Sequence, residues 1–257
     1  MKRILWFLAG AVLAGCAQLV PAPEGAAFSD RAAAEAAWAR VLERRVDDRG
    51  RVDFEGLERD RADLDRFVSW VYAIGPNNRP ELFGSRAEVL AYHLNAYNAL
   101  AMYSVLAAGL PRSLSEYGLI RFFYLRRVAI GGEAMSLYRY ENEVIRPLGD
   151  ERVHFALNCM AASCPRLPRK PFRASTLDAA LAEETRRFLD EPRNVALDAA
   201  RCKVGLSEIF NFYPEDFLAK APSLIAYVNL HRSMPVPARC DVEFIGYDWT
   251  VANQVRP

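Results

Sequence analysis

The chain has no excess of charge of either sign: its 257 residues hold 33 lysines and arginines against 32 aspartates and glutamates, a net charge of +1. Nucleic-acid binders need a strong basic field, so no nucleic-acid partner is expected. Histidine is scarce. His93, His154 and His231 lie far apart, and neither His-x-x-x-His nor Cys-x-x-Cys spacing occurs. The usual metal-ligand patterns are therefore missing, and no metal or other cofactor is expected. No apolar run approaches the ~20 residues that cross a bilayer as a helix. Internal repeats are lacking, as are low-complexity tracts beyond alanine-rich helix. What remains is an ordinary globular composition, 52% apolar and 25% charged, long enough for a sizeable core.

The N-terminus carries Lys2 and Arg3, the apolar run Ile4 to Leu13, and then Leu13-Ala14-Gly15-Cys16. The order of charged, apolar and small residues is that of a secretory signal, assigned to residues 1–15. Its ending resembles the lipobox of bacterial lipoproteins, which implies lipidation of Cys16 as the first mature residue and a membrane partner through that anchor. Loss of Lys2 and Arg3 turns the net charge from +1 to −1. Residues 16–28, with Pro21, Pro23 and Gly25, read as a tether. Ala17, where inner-membrane lipoproteins carry aspartate, resembles the pattern sent to the periplasmic face of the outer membrane. Export to an oxidising compartment makes Cys159, Cys164, Cys202 and Cys240 candidates for two disulfides, and four cysteines allow three pairings.

Residues 29–257 then form the domain. Ser29 is placed to cap a helix with Ala34, Trp38, Val41 and Leu42 on one face. Residues 51–54 are extended, and Leu57, Leu64, Phe67, Val68 and Val71 repeat at helical spacing up to Gly75-Pro76. The strongest helical pattern runs from Ser85 to Leu106; Asn95 and Asn98, three apart, are neighbours on its surface. They either bond a neighbouring loop or line a site. Residues 119–137 read as a hairpin about Gly131-Gly132. Residues 137–148 return to helix, carrying Glu141 and Arg146. Thr176 to Leu189 is helical, 194–197 and 203–206 are strands, 207–217 and 223–230 short helices, and 242–247 a last strand. Helices first with strands mixed in later predict an α+β fold: a mainly helical single domain with a small mixed or antiparallel sheet.

The segment Arg152 to Pro165 holds one histidine and two cysteines within eleven residues, His154 to Cys164. In either a strand or a helix, His154 and Asn158 share a face. An amide beside an imidazole can fix its tautomer, so one reading makes Cys164 a thiolate nucleophile, His154 its base, and Asn158, Asn95 or Asn98 the orienting group. A second reading closes Cys159 to Cys164 and Cys202 to Cys240 as disulfides, the small loop gaining roughly 2 kcal/mol, which is exclusive of Cys164 as nucleophile. A redox-active pair is the third. The basic run Arg166 to Arg173 either receives an acidic ligand or is a solvated loop. His93 and His231 read as ordinary surface or core residues.

Several motifs occur in order: residues 52–57 (VDFEGL), 90–99 (LAYHLNAYNA), Tyr140-Glu141 with Arg146, 152–159 (RVHFALNC) through Ser163-Cys164-Pro165, Phe210-Asn211-Phe212-Tyr213 before Asp216-Phe217, and the closing Tyr247-Asp248-Trp249. Together they resemble the DUF547 family over roughly residues 35–230. His93 departs from the pattern, since members commonly place an aromatic residue there, and it is given no role. The resemblance implies a bacterial exported domain of unknown activity. The polar residues Asn95, Asn98, Glu141, Arg146, Arg152, His154 and Asn158 are expected to line a cleft near Cys164. The expected function is a lipid-anchored envelope protein: either a thiol-dependent hydrolase or acyl-transferase acting on an envelope peptide or amide, or a non-enzymatic binding or scaffolding lipoprotein held by disulfides.

Overall fold

The computed structural model describes residues 18–23 and 30–254. The signal segment, Cys16 and Ser29 lie outside them. Asp30 caps the first helix, α1 (Arg31–Arg45), accepting from the Ala33 amide at 2.8 Å. The single helix expected from residue 57 is two, α2 (Phe54–Arg59) and α3 (Ala62–Ala73), because the backbone turns extended at Asp60. Asp53 caps α2 at Gly56, and Arg45 bridges Asp53 and Asp60 across the break.

The centre of the molecule is α4 (Arg86–Ala107), capped by Ser85 and buried at every position from Leu90 to Val105. Alanine at 91, 96, 99 and 101 lets neighbours approach on all sides, so this helix is apolar all round rather than amphipathic. The two amides within it are buried, Asn98 at 1% exposure and Asn95 at 9%. A short α5 (Leu114–Tyr117) follows. Residues 121–125 form a π-type turn where a strand was expected. The hairpin is β2 (Arg126–Ile130) and β3 (Glu133–Met135), turning at Gly131 and Gly132, whose φ values of 54° and 80° suit glycine.

Ahead of all these, β1 (Gln18–Leu19) pairs in parallel with β2, and Val20 is buried behind it. The hydroxyls of Tyr72 and Tyr103 donate to the Val20 and Pro21 carbonyls, each at 2.9 Å. Over residues 18–21 the stretch read as a tether is thus part of the folded body.

Helix α6 (Leu137–Arg139) widens into a π-type turn, Tyr140–Ile145, and ends tightly over Arg146–Leu148. Residues 151–155 are a short 3₁₀ turn and neither strand nor α-helix. Helix α7 (Leu177–Asp190) leads to a second small sheet of β4 (Val195–Asp198), β5 (Lys203–Ser207) and β6 (Asp241–Ile245). Between β5 and β6 run α8 (Ile209–Phe212), α9 (Pro214–Leu218) and α10 (Leu224–His231), with Pro214 separating the first two. Both sheets have three strands and mix one parallel with one antiparallel pairing, so the fold is α+β with two small mixed sheets. Among the described residues no helix is long and apolar enough to cross a membrane.

The buried side chains fall into two cores. The larger gathers α1, α3, α4 and β2; the smaller is built on Phe155, Phe188, Phe210, Phe217 and Tyr227. Cys202 and Cys240 meet at a Cα separation of 4.6 Å beside the second sheet.

Glu184, on the inner side of α7, is 9% exposed and has only loose partners, Arg187 at 3.4 Å and Arg166 at 3.8 Å. Burial pushes its carboxyl up to about 7. A carboxyl raised in the folded state contributes stability below its ordinary value and loses it as pH climbs through the folded one. Glu184→Gln is therefore expected to remove a fall in stability between about pH 4.5 and 7. It should raise stability at pH 8 by about 3 kcal/mol more than at pH 4. Urea midpoints of both proteins at the two pH values check this; equal differences at the two would refute it.

Candidate functional site

A cleft of about 510 Å³ opens between the two cores. Its floor is set by three segments. The wide turn after α6 carries Glu141, Asn142 and Arg146, the 3₁₀ turn carries His154, and the α8–α9 junction carries Tyr213, Glu215 and Asp216. A π-type turn inside a helix is a costly distortion found often at functional positions. Here it lets Tyr138, Glu141, Asn142 and Arg146 all line the cleft.

His154 is the hub. It is 3% exposed, its ring stacks on Tyr213 at 4.1 Å, and its Nε2 lies 2.7 Å from Asp216 Oδ2. An ionised carboxylate only accepts, so Nε2 carries the proton. The opposite nitrogen, Nδ1, is buried without a hydrogen-bond partner and points toward Glu141 Oε1, 3.8 Å away. Arg146 holds Asp216 with Nε at 2.7 Å and Nη2 at 2.9 Å, and also reaches Glu215 and Asn142. Burial acts to raise the Asp216 carboxyl, but the bonds from His154 and Arg146 outweigh it and hold it well below the ordinary carboxylate range. Glu141 Oε2 accepts from Tyr97 at 3.1 Å, and the Tyr213 hydroxyl bonds the same carboxylate. Burial, and then the adjacent Glu141, keep the Tyr97 and Tyr213 phenols protonated far above their usual range.

Residues 83–189 match DUF547, a family described as a protein of unknown function. No curated protein and no solved structure matches. The DUF547 match is narrower than the span over which the motifs read. It contains Tyr97, Glu141, Arg146, His154, Cys159 and Cys164, whereas Tyr213, Asp216 and Tyr247 come from beyond it. The floor of the cleft thus joins the DUF547 segment to the part of the chain that follows.

Within the DUF547 segment, Cys159 and Cys164 lie at disulfide-bonding distance, with Cα atoms 6.4 Å apart, and both line the cleft. The Cys159 amide (3.1 Å) and the Tyr247 hydroxyl (3.2 Å) both donate to Cys164 Sγ. Met160, between the cysteines, takes a left-handed φ of 72°, and its amide is held by Asn158 Oδ1 at 2.6 Å.

Of the polar residues expected in one cluster, Glu141, Arg146 and His154 do meet, beside both cysteines. Asn158 does not orient His154; its amide spans the loop, bonding the Pro165 carbonyl and the Met160 amide. The imidazole is oriented by Asp216 instead. Asn98 is a loop holder, donating to the Ala156 carbonyl at 3.0 Å and accepting from the Asn158 amide at 2.7 Å. Asn95 likewise ties Trp38 to both backbone groups of Phe172. Arg152 lies apart from the cleft, paired with Asp150 and Asp178. In the basic run, Arg166 and Arg169 pin the Glu43–Asp48 turn. His93 is buried against the Tyr140 hydroxyl at 2.8 Å, and burial pushes it down to about 4.

Asp216, Tyr97, Tyr213 and Tyr247 are the site residues that sequence spacing did not assign. All four stand in the motifs quoted above, Tyr97 in residues 90–99, Tyr213 and Asp216 in a second motif and Tyr247 in the closing one. Nothing in spacing alone pairs position 154 with position 216. Among the described residues no group of histidine, cysteine, aspartate and glutamate is arranged to hold a metal ion.

Proposed function

We propose that the chain is a lipid-anchored cell-envelope protein whose cleft performs acyl transfer, to water or to an amine, with Glu141 and His154 as the base. One observation carries the reading. In the tautomer whose single proton, on Nε2, goes to Asp216, His154 turns a bare acceptor, Nδ1, toward a second acceptor, Glu141 Oε1, 3.8 Å away. A buried acceptor and a part-buried one side by side are both satisfied by a group that donates to each. A nucleophile seated there can lose its proton to either, which is general-base catalysis with the imidazole held in one tautomer. Asp216 and Arg146 act as positioning residues, fixing the ring without touching the gap.

The thiol-dependent form of this chemistry is not favoured, because Cys164 is matched to Cys159 and has no free thiol while that bond stands. The same pair supports the rival reading, a binding or scaffolding lipoprotein whose cleft is kept rigid by disulfides. Two kinds of variant separate them. Release of p-nitrophenol from p-nitrophenyl butyrate, with and without butylamine, is expected to fall about 100-fold or more in E141Q, while the double variant C159S/C164S keeps most of its rate. Equal rates for wild type and E141Q, or no turnover above buffer, leave the binding reading alone.

The location rests on the lipobox resemblance at Leu13 to Cys16. Cells fed radiolabelled palmitate are expected to label the wild-type protein and not C16S. Unlabelled wild type would remove the anchor.

A further inference from the structure

The chemistry of the cleft selects the group that sits in it, and this inference rests on the reading of Glu141 and His154 as the working pair. The donors nearest Glu141 and His154 are already engaged. The hydroxyls of Tyr97 and Tyr213 are on Glu141, and that of Tyr247 is on Cys164 Sγ. The Asn142 amide donates to the Tyr138 carbonyl at 2.9 Å, and Arg146 turns its charge on Asp216 and Glu215. What stays open is acceptor capacity, at Glu141 Oε1 and at His154 Nδ1, an atom without a hydrogen-bond partner on a residue only 3% exposed. A carboxylate or phosphate brings only more acceptors. A sugar hydroxyl brings one donor and two acceptor lone pairs, and the latter would go unmet. An ammonium has three donors and no acceptor.

Charge points the same way. Two carboxylates, Glu141 and Glu215, line the cleft against the guanidinium of Arg146, whose charge is also drawn to Asp216 behind it. The approach is a run of aromatic faces: Tyr247 and Trp249 at 4.4 Å, Phe212 against Tyr247 at 5.5 Å, and Phe123 against Trp249 at 5.8 Å. Aromatic rings beside a carboxylate attract alkyl cations and cover their methylenes. We infer that the cleft binds a primary alkylammonium, its nitrogen seated between Glu141 and His154 and its alkyl chain along Phe123, Phe212, Tyr247 and Trp249. The acceptor of the proposed acyl transfer is then an amine, such as a lysine-like side chain of an envelope peptide, rather than water: the ammonium first gives one proton to Glu141 or His154, its nitrogen then bonds the acyl carbon of an ester as the ester C–O bond breaks, and its second proton leaves with the displaced alkoxide as an alcohol.

Binding is read without catalysis through Trp249, the cleft tryptophan; Trp38 and Trp70 lie in the core. Mature protein titrated with butylammonium chloride is expected to show a saturable fluorescence change in the millimolar range. Affinity should fall about tenfold in E141Q and weaken with added salt. Sodium butyrate and N-acetylglucosamine oligomers should not saturate. Butyrate or the oligomer binding as well as the amine, or no saturation by butylammonium, overturns the inference, and the wild-type comparison stands even if E141Q does not fold. Amine binding without acyl transfer keeps the inference and removes the catalytic reading. Glu141-dependent ester hydrolysis with no amine binding does the reverse.

Discussion

Phe155→Ala is expected to destabilise the folded chain by about 3–5 kcal/mol, the range for truncating a fully buried phenylalanine. Phe155 is the ring on which the smaller core is assembled. It lies 4.9 Å from Phe188, 5.7 Å from Phe217, 6.0 Å from Phe210 and 6.4 Å from Tyr227, and is fully buried. Val153, two residues before it, and Ala156, next to it, belong to the larger core, so this one side chain reaches across the seam on which the cleft is built. Four aromatic partners cannot all collapse into the space it leaves, so most of the cavity cost persists. Urea unfolding should show a lower midpoint with an unchanged slope. A loss below about 1 kcal/mol would mean that the smaller core closes without it.

Asn98→Ala is the second large effect, about 3–5 kcal/mol from an exchange that removes no aromatic surface. Its amide is the sole link among the hydrogen bonds described between α4 and the loop that carries the cysteines: it donates to Ala156 and accepts from the Asn158 amide. Truncation leaves a buried carbonyl and a buried amide unmet, each costing about 1–3 kcal/mol. Asn98→Asp should not rescue, because it restores the acceptor while burying a charge and losing the donor. Guanidinium unfolding of the two variants measures this, and a midpoint within error of wild type for either would show that the loop finds other partners.

These two residues also mark how far the sequence is informative. Periodicity placed α4 within a residue of its observed ends, because a long run of alanine and aliphatic residues after a serine cap has few other ways to fold. The second sheet was legible for the same reason, as short apolar runs around a polar turn. The break between α2 and α3 was not, since one aspartate at position 60 interrupts an otherwise continuous helical pattern. In the site, Glu141, Arg146 and His154 were legible as polar residues set among apolar ones. Spacing pairs the histidine with Asn158 rather than Asp216 because a four-residue separation shares a face only in a regular strand or helix, whereas residues 151–155 form a 3₁₀ turn that ends before Asn158. Asp216 approaches from a segment 62 positions away. A contact of that kind is decided by how α9 packs on Phe155, and no local pattern encodes it.

The short strand at the N-terminal end bears on geometry outside the protein. Gln18 is already paired to Arg126, and Cys16 precedes it by two residues. Extended chain covers about 3.5 Å per residue, so an acyl group on Cys16 would hang within about 7 Å of the β1–β2 edge. If the proposed anchor at Cys16 is present, a molecule fastened so closely could not drift from its membrane like a buoy on a line. It would ride flat against the leaflet, with one flank always turned to the headgroups and its reach limited to material that comes to the bilayer surface.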